Sequence, residues 1–556
     1  MEGVGSLPLG RRWYSPGRML AWGAVLVAGV VFSVFISALS YPFVALDDYA
    51  YVVNNHHIAT LDWGTVGWAF TSFHEGNWHP LTMLSLALDR RLWGLDPSGF
   101  RLVNIVLHSL TVVTVCHLFY RLLSTAYSDS PEAGPGMGGL VAGSLGGALG
   151  WGLHPLRVES VVWVSERKDA LCLFLLTAAL YCYLSYARQA KGREAAPFWR
   201  FPSYWATLVF TVLALMSKAV AVSIPLILWI IDWYSLDRRD GRRATIEKIP
   251  FVALAAATAL LAMLSQQGAA RDFVELGLAA RLLVASKALF FYLAKTLWPS
   301  GLGPFYLHPG NVLALAPGEY LGYALLGAVF LIMALRTRRR WAAALCGYYV
   351  VTLMPMLGLV QVGGQWVADR YSYLPGLALA LGWGGLATWL AGRLGSPRTA
   401  RWAALGLVLL CCQVAAYGVL TAQQILVWQS TETLTTRIID LQPHRTGEVY
   451  YVRAVHRDRA GRHELALQDI GEAMRCALRE NRRGVLARIA FAEASILKNL
   501  GRIPEALAMA EWGGQVLLGP PAEADVGLRD ELRRLMAEKQ QAARGGGDAM
   551  SRPALR

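Results

Sequence analysis

The chain has 556 residues, of which 55% are hydrophobic and 16% charged, and it contains 20 tryptophans. This composition, with a mean hydropathy of +0.38, excludes an ordinary soluble globular protein and indicates a polytopic membrane protein. The net charge of +14 would favour nucleic-acid binding in a soluble chain, but in a membrane protein basic residues mark the cytoplasmic loops. The 7 cysteines lie mostly in apolar segments, so their spacing predicts no disulfide framework.

Apolar segments of roughly 20 residues predict an all-α bundle with about eleven membrane-spanning helices, because open backbone is not solvated in lipid. The predicted spans are 19–41, 102–122, 138–153, 170–187, 203–217, 219–235, 249–265, 317–335, 341–360, 373–392 and 402–422. Alternate connections are rich in arginine and lysine, which places the N-terminus in the cytoplasm and the C-terminal region outside. Segment 281–298 carries Lys287 and Lys295 and is predicted to be an outer interfacial or re-entrant helix. The first span is expected to be retained, because it has no small-residue cleavage site.

The character of the chain changes near Trp428, after which it is charged and helix-forming. Residues 460–474 and 500–514 share the pattern G-R-x-x-x-A-L at a spacing of about 40 residues, which is typical of tetratricopeptide repeats. An ordinary helical bundle is the alternative. Stacked repeats would form a concave surface for a peptide or protein partner. The predicted domains are a membrane domain over 1–427, a repeat domain over 428–540 and a disordered tail over 541–556.

The connections on the predicted outer side hold most of the polar motifs. They contain "LDDYAYVVNN", "NWHPLTMLSLALD", "HPLRVESVVWVSERKD", "MSKAV" and "VADRYSYLP". The inner connections are short and basic by comparison. This asymmetry predicts a functional site at the outer boundary between membrane and water.

These motifs, together with "GFRLVNIVLH" and the repeats that follow, resemble the bacterial relatives of the transmembrane O-mannosyltransferases that modify cadherins. The resemblance covers nearly the whole chain and implies the C-type fold of integral-membrane glycosyltransferases. It implies transfer of a sugar, mannose above all, from a polyprenyl-phosphate donor to an acceptor outside the cytoplasm. It also implies a catalytic acidic residue directly after the first span, a position that Asp47 and Asp48 occupy.

The chemistry of sugar transfer also favours a carboxylate at this place. A hydroxyl that attacks an anomeric carbon must lose its proton, and a carboxylate can accept it while phosphate leaves from the opposite face. Asp47 is preferred to Asp48 as the base. The second aspartate would then orient the acceptor or hold the pKa of the base. A solvated turn or a helix cap is the alternative interpretation of an Asp-Asp pair.

Basic residues at the starts of outer helices are predicted to bind the donor phosphate. They are Arg167, Lys168, Lys218 and Arg370, with His79 and His154 as further donors. The alternatives are ion pairing for Arg370 and a structural loop role for the histidines. The residues predicted to contact the substrate are Asn54, Trp78, Glu159, Glu166, Asp369 and Tyr371.

No cofactor or closed metal site is predicted, although His154, Glu159 and Glu166 could offer ligands to a divalent cation together with the Asp-Asp pair. The predicted partners are the lipid-linked donor, a protein, lipid or glycan acceptor, membrane lipid and a protein bound by the repeats, with no nucleic acid. The predicted location is a bacterial inner membrane. A transporter and a non-catalytic scaffold for envelope glycan assembly are the rival functions, but a transporter should have polar or broken helices near mid-membrane.

Overall fold

The computed structural model describes residues 16–128, 136–193, 196–235, 241–266, 278–307, 340–358, 365–442, 447–480, 483–516 and 527–538, with five single residues between 322 and 336. The helices of the N-terminal part are Pro16–Phe35, Trp63–Thr71, Pro80–Trp93, Pro97–Ser128, Gly136–Gly152, Val158–Val162, Arg167–Ala190, Pro202–Leu215, Ile224–Ser235, Gly241–Gln266, Leu278–Leu297, Arg340–Leu353, Gly376–Arg393 and Ala400–Val427. Those that follow are Thr431–Leu441, Gly447–Arg459, His463–Glu480, Arg483–Asn499 and Ile503–Val516. The strands Tyr306–Leu307 and Gln365–Val367 form a small antiparallel pair. The all-α prediction is therefore confirmed.

The described part of the chain contains five helices that are long and apolar enough to cross a membrane. They are Pro16–Ser40, Pro97–Tyr127, Val164–Ala190, Gly241–Gln266 and Ala400–Val427, where two ranges include an adjoining 3₁₀ turn. The prediction of a multi-pass membrane protein is confirmed, and the number of spans stays a prediction. The predicted span 203–217 corresponds to a helix of 14 residues, about 21 Å long, which is shorter than a hydrocarbon core of about 30 Å. The predicted span 317–335 lies outside the described residues.

Glycines allow two of the core helices to approach closely. A Cβ atom on Gly143 would lie 2.4 Å from the carbonyl oxygen of Gly384, and one on Gly147 would lie 2.7 Å from that of Ala380. Any larger residue at 143 or 147 would push helices Gly136–Gly152 and Gly376–Arg393 apart. Small residues spaced by four positions commonly mediate such packing between membrane helices.

The chain divides into two compact units, Met1–Gln429 and Ser430–Arg556. In the second unit the two G-R-x-x-x-A-L motifs have matching conformations. Gly461 and Gly501 both have φ of +73°, which suits glycine at the turn before a new helix. Ala466 and Ala506, five residues further on, are both fully buried. The assignment to tetratricopeptide repeats stays a prediction, and the predicted tail 541–556 lies outside the described residues.

Irregular connections of the first unit meet at one end of its helices. The 3₁₀ turn Ile36–Ser40 leads to an extended segment and then to a π-helical turn, Tyr49–Val53. The backbone amide of Leu81 donates to the carbonyl of Met216 over 3.1 Å, and this bond joins the "NWHPLT" and "MSKAV" segments. These connections contain the residues that the sequence analysis selected for the site.

Candidate functional site

The two adjacent aspartates have opposite environments. Asp48 is fully buried and accepts hydrogen bonds from the amide of Val44 at 3.1 Å and from the amide and hydroxyl of Ser165 at 3.0 and 2.6 Å. Burial raises the pKa of Asp48, and the bonds from Ser165 oppose this effect. Asp47 is exposed and interacts electrostatically with Lys168 and Tyr51. Asp48 therefore anchors the segment, while Asp47 is available to a ligand.

Two arginines fix the backbone around this carboxylate pair. The buried Arg101 donates to the carbonyl oxygens of Tyr41 and Pro42, and its Nε donates to that of Val162 at 3.2 Å. Arg90 donates to the carbonyl oxygen of Val52 at 2.5 Å. Val52 belongs to the π-helical turn Tyr49–Val53, and Tyr41 and Pro42 precede that turn. Such turns often occur at functional sites because they place side chains that a regular helix would not.

A cluster of alternating charges lies beside this segment. Glu166 contacts Lys168 and Lys218 at 3.2 Å each and the Nε of Arg370 at 3.3 Å. Asp169 contacts Lys218 at 2.6 Å, and Glu159 pairs with the guanidinium of Arg370. We call these six residues the charge cluster, namely Glu159, Glu166, Lys168, Asp169, Lys218 and Arg370. Three of its members, Lys168, Lys218 and Arg370, are residues that the sequence predicted to bind phosphate.

The cations of the charge cluster are more accessible than its carboxylates. The side chains of Lys168, Lys218 and Arg370 are 10%, 13% and 12% exposed, whereas that of Glu166 is 1% exposed. Glu159 is also nearly fully buried. The accessible part of the cluster is therefore mainly positive. Glu159 and Glu166 lie behind it, whereas the side chain of Asp169 is 6% exposed and lines the same small cavity as Lys218 and Arg370. A mainly positive surface can bind an anionic group such as a phosphate.

The structure places Arg167 apart from the other predicted phosphate contacts. Its fully buried guanidinium pairs with Asp89 at 2.5 Å, donates to Ser85 Oγ at 2.7 Å and contacts the side chain of Asn104. Arg167 and Lys168 are neighbours at a helix start, where consecutive side chains point about 100° apart. Lys168 therefore joins the charge cluster, and Arg167 points into the core.

The two histidines also differ. His154 has partners for both ring nitrogens, because Nδ1 accepts from the amide of Leu156 and Nε2 lies 3.0 Å from the carbonyl oxygen of Thr296. Burial lowers its pKa to about 3, which favours a neutral ring with both nitrogens held by protein groups. His79 stacks on Tyr51 with ring centroids 5.4 Å apart, and its buried Nε2 has no hydrogen-bond partner among the described residues. Burial lowers the pKa of His79 well below its usual value, which favours a neutral imidazole.

The other residues predicted to contact the substrate differ in exposure and in their partners. Asn54 is exposed at the end of the π-helical turn, and the partly buried Trp78 donates its indole N–H to Phe70 at 3.0 Å. Asp369 is buried and accepts a hydrogen bond from Tyr306 at 2.9 Å, which indicates a structural role. The ring of Tyr371 lies 5.0 Å from the guanidinium carbon of Arg370.

Sequence reasoning missed Tyr51, whose ring contacts both His79 and Lys168 of the charge cluster. The Lys168 ammonium lies 4.8 Å from the centre of its ring, on which His79 also stacks. Nothing in the local sequence "YAYVV" indicates these contacts, because the π-helical turn determines where the side chain of Tyr51 points. No group of three or more His, Cys, Asp or Glu residues that could hold a metal occurs in the part of the chain that the structure describes.

No family model matches the chain. The protein O-mannosyl-transferase Tmtc2 of Drosophila melanogaster is 32% identical over 173 residues, which are 31% of this chain and 16% of that protein. The human protein O-mannosyl-transferase TMTC4 is 30% identical over 195 residues, covering 32% of this chain and 25% of that protein. The crystal structure of ArnT from Cupriavidus metallidurans bound to undecaprenyl phosphate matches with a TM-score of 0.34 and 14% identity, over 77% of this chain and 79% of that chain.

The matched segment spans a quarter or less of each of these two curated relatives. Both relatives have the same enzyme name, and both match about a third of this chain. The relationship that the motifs indicated is thereby confirmed: the chain is similar in sequence to the TMTC protein O-mannosyl-transferases.

Proposed function

We propose that the chain is a membrane glycosyltransferase that moves a monosaccharide, mannose, from a polyprenyl-phosphate donor to an acceptor hydroxyl. The observation that carries this proposal is the exposed carboxylate of Asp47 beside a charge cluster whose most accessible side chains are its three cations. The name shared by the curated relatives supports the choice of reaction and sugar.

The proposed reaction needs one base and one anion-binding surface. The acceptor oxygen forms a bond to the anomeric carbon while the bond from that carbon to the phosphate oxygen breaks. The hydroxyl proton moves to Asp47, and the phosphate keeps the electron pair beside Lys168, Lys218 and Arg370. The neutral His79 donates a hydrogen bond to the same phosphate. Because the base and the leaving group lie on opposite faces of the sugar, the anomeric configuration inverts.

The acceptor is a hydroxyl on a protein, and the repeat-like second unit presents it. Pairs of packed helices give such units an extended surface for polypeptide recognition. The reaction takes place on the extracytoplasmic side of a bacterial inner membrane, as the arginine-rich alternate connections indicate.

Sugar transfer can be tested directly with the purified full-length protein. It is incubated with several polyprenyl-phosphate sugars and candidate acceptors, and the products are identified by mass spectrometry. Transfer of mannose is expected, and the Asp47→Asn variant is the blank. Absence of transfer with every donor, together with transport of a solute in vesicles, would favour the transporter instead.

The sidedness of the site can be tested at the two ends of helix Ala400–Val427. Arg398 and Gln429 are both exposed and flank this helix. In a background without native cysteines, a cysteine at 429 should react with a membrane-impermeant thiol reagent in intact cells. A cysteine at 398 should react only after the membrane is opened. The reverse pattern would place the repeat-like unit in the cytoplasm and remove the outer assignment of Asp47.

Replacement of Lys218 with alanine should weaken use of the donor. A hydrogen bond to a charged group contributes about 1.5–3 kcal/mol, so the donor KM should rise about tenfold or more. Donor kinetics of Lys218→Ala and Arg370→Ala are compared with those of Lys191→Ala, which changes an exposed lysine outside the site. Unchanged donor kinetics in both site variants would mean that these cations serve only the ion pairs of the cluster.

A further inference from the structure

Glu166 is the shared carboxylate of the charge cluster. Its two oxygens contact three cations that come from separate segments of the chain, at distances of 3.2–3.3 Å. Lys218 also has Asp169, and Arg370 also has Glu159. Among the residues that the structure describes, Glu166 is the only ion-pair partner of Lys168. Removing this carboxylate would therefore change the charge balance at all three cations at once.

The cluster has as many carboxylates as cations. The formal charges of Lys168, Lys218 and Arg370 are balanced by those of Glu159, Glu166 and Asp169. A site with this balance attracts an anion through the local geometry of its exposed cations rather than through a net positive charge. The balance matters because the phosphate changes its own charge during the proposed reaction.

The donor and the lipid product differ in charge at this place. A sugar phosphodiester has one negative charge, whereas the phosphomonoester that remains can have two, since its second pKa is about 6. An electrostatic energy is proportional to the product of the interacting charges. A net positive site would therefore hold the product more tightly than the donor and would slow its release.

We propose that Glu166 acts through the three cations that it contacts, as a positioning residue that limits their net charge, so that the site releases the polyprenyl phosphate product. This inference rests on the proposed function, because it requires a phosphate-bearing donor at the cluster. Glu166 itself lies behind the cations and does not touch the substrate. This role replaces the substrate contact that the sequence predicted for it.

The test is Glu166→Gln, which keeps the size of the side chain and removes its charge. Binding of a polyprenyl monophosphate and of the mannosyl donor is measured in detergent micelles. We expect donor affinity to rise about threefold and product affinity to rise about tenfold, because the effect on the logarithm doubles with the ligand charge. Single-turnover transfer should change little, while multiple turnover should slow as product release becomes limiting.

Two further variants separate this effect from a general loss of buried charge. Glu247→Gln removes another fully buried carboxylate, one that pairs with Arg243 at 2.9 Å outside the cluster, and should leave both affinities unchanged. If Glu166→Gln is not recovered as folded protein, Asp169→Asn removes a second carboxylate from Lys218 and should also tighten product binding. Product should raise the unfolding temperature more in the variant than in the wild type.

The possible outcomes distinguish failure of the role of Glu166 from failure of the proposed function. Wild-type protein that binds neither phosphate ligand would overturn the proposed function and this role with it. Wild-type protein that binds them, with Glu166→Gln binding the product no more tightly, would overturn the role of Glu166 alone. A lower unfolding temperature without tighter product binding would make Glu166 purely structural.

Discussion

Asp47→Asn is expected to lower sugar transfer by about 100-fold or more while donor binding survives. Asparagine keeps the size of the side chain but cannot accept the proton of the attacking hydroxyl. A general base commonly contributes two to four orders of magnitude to the rate. Because Asp47 is exposed and the proposed phosphate contacts are made by other residues, its loss should lower kcat with little effect on donor affinity. Transfer rates and donor affinity are measured separately.

Two other aspartates of the same region provide the controls for this experiment. Asp62 accepts a hydrogen bond from the amide of Thr65 at 2.9 Å and caps a helix, a role that asparagine also performs, so Asp62→Asn should be fully active. Asp48→Asn should lower stability, because the buried carboxylate accepts three hydrogen bonds. Full transfer by Asp47→Asn with a well-folded but inactive Asp48→Asn would exchange the two roles.

Asp89→Ala is expected to destabilise the first unit, Met1–Gln429, by about 3–5 kcal/mol. The substitution leaves the fully buried guanidinium of Arg167 without a counter-charge. The variant should unfold at a lower temperature in detergent and accumulate less in cells. Thermal unfolding followed by tryptophan fluorescence checks this expectation. Arg167→Met should show a similar loss, because it leaves Asp89 buried without its partner.

The double variant Asp89→Leu with Arg167→Met tests whether the two charges act as a pair. Replacement of both charges by apolar groups is often neutral, so the double variant should recover part of the stability that each single variant loses. If Arg167→Met instead remains as stable as the wild type and loses donor binding, the phosphate contact predicted from the sequence is restored. Stability losses that simply add would show that the two side chains do not act as a pair.

The helical membrane fold follows from local composition. Apolar length predicted helices over 170–187 and 402–422, and the structure has Arg167–Ala190 and Ala400–Val427. The ends were underestimated because polar and charged residues continue a helix past its apolar core. Local hydropathy does not separate long apolar helices from shorter ones such as Pro202–Leu215, because packing against neighbours also stabilises short helices.

The segments of the candidate site were also evident from the sequence, because polar motifs between apolar spans have few structural reasons to be there. Which of two adjacent residues belongs to the site was not evident from the sequence. Asp47 and Asp48, like Arg167 and Lys168, are adjacent and chemically alike, and one member of each pair is committed to the core. Side-chain direction at the start of a helix or in a π-helical turn decides which member that is.

The sequence therefore determined the class of protein, its helices and the chemistry available in the polar connections between them, because hydropathy and residue type are local properties. Only the tertiary structure decided that Glu166 joins Lys168, Lys218 and Arg370, which are separated by up to about 200 positions along the chain. It also decided that His154 is enclosed while His79 keeps a buried nitrogen without a protein partner among the described residues. Burial and ion pairing depend on which distant segments meet, and no local pattern encodes that.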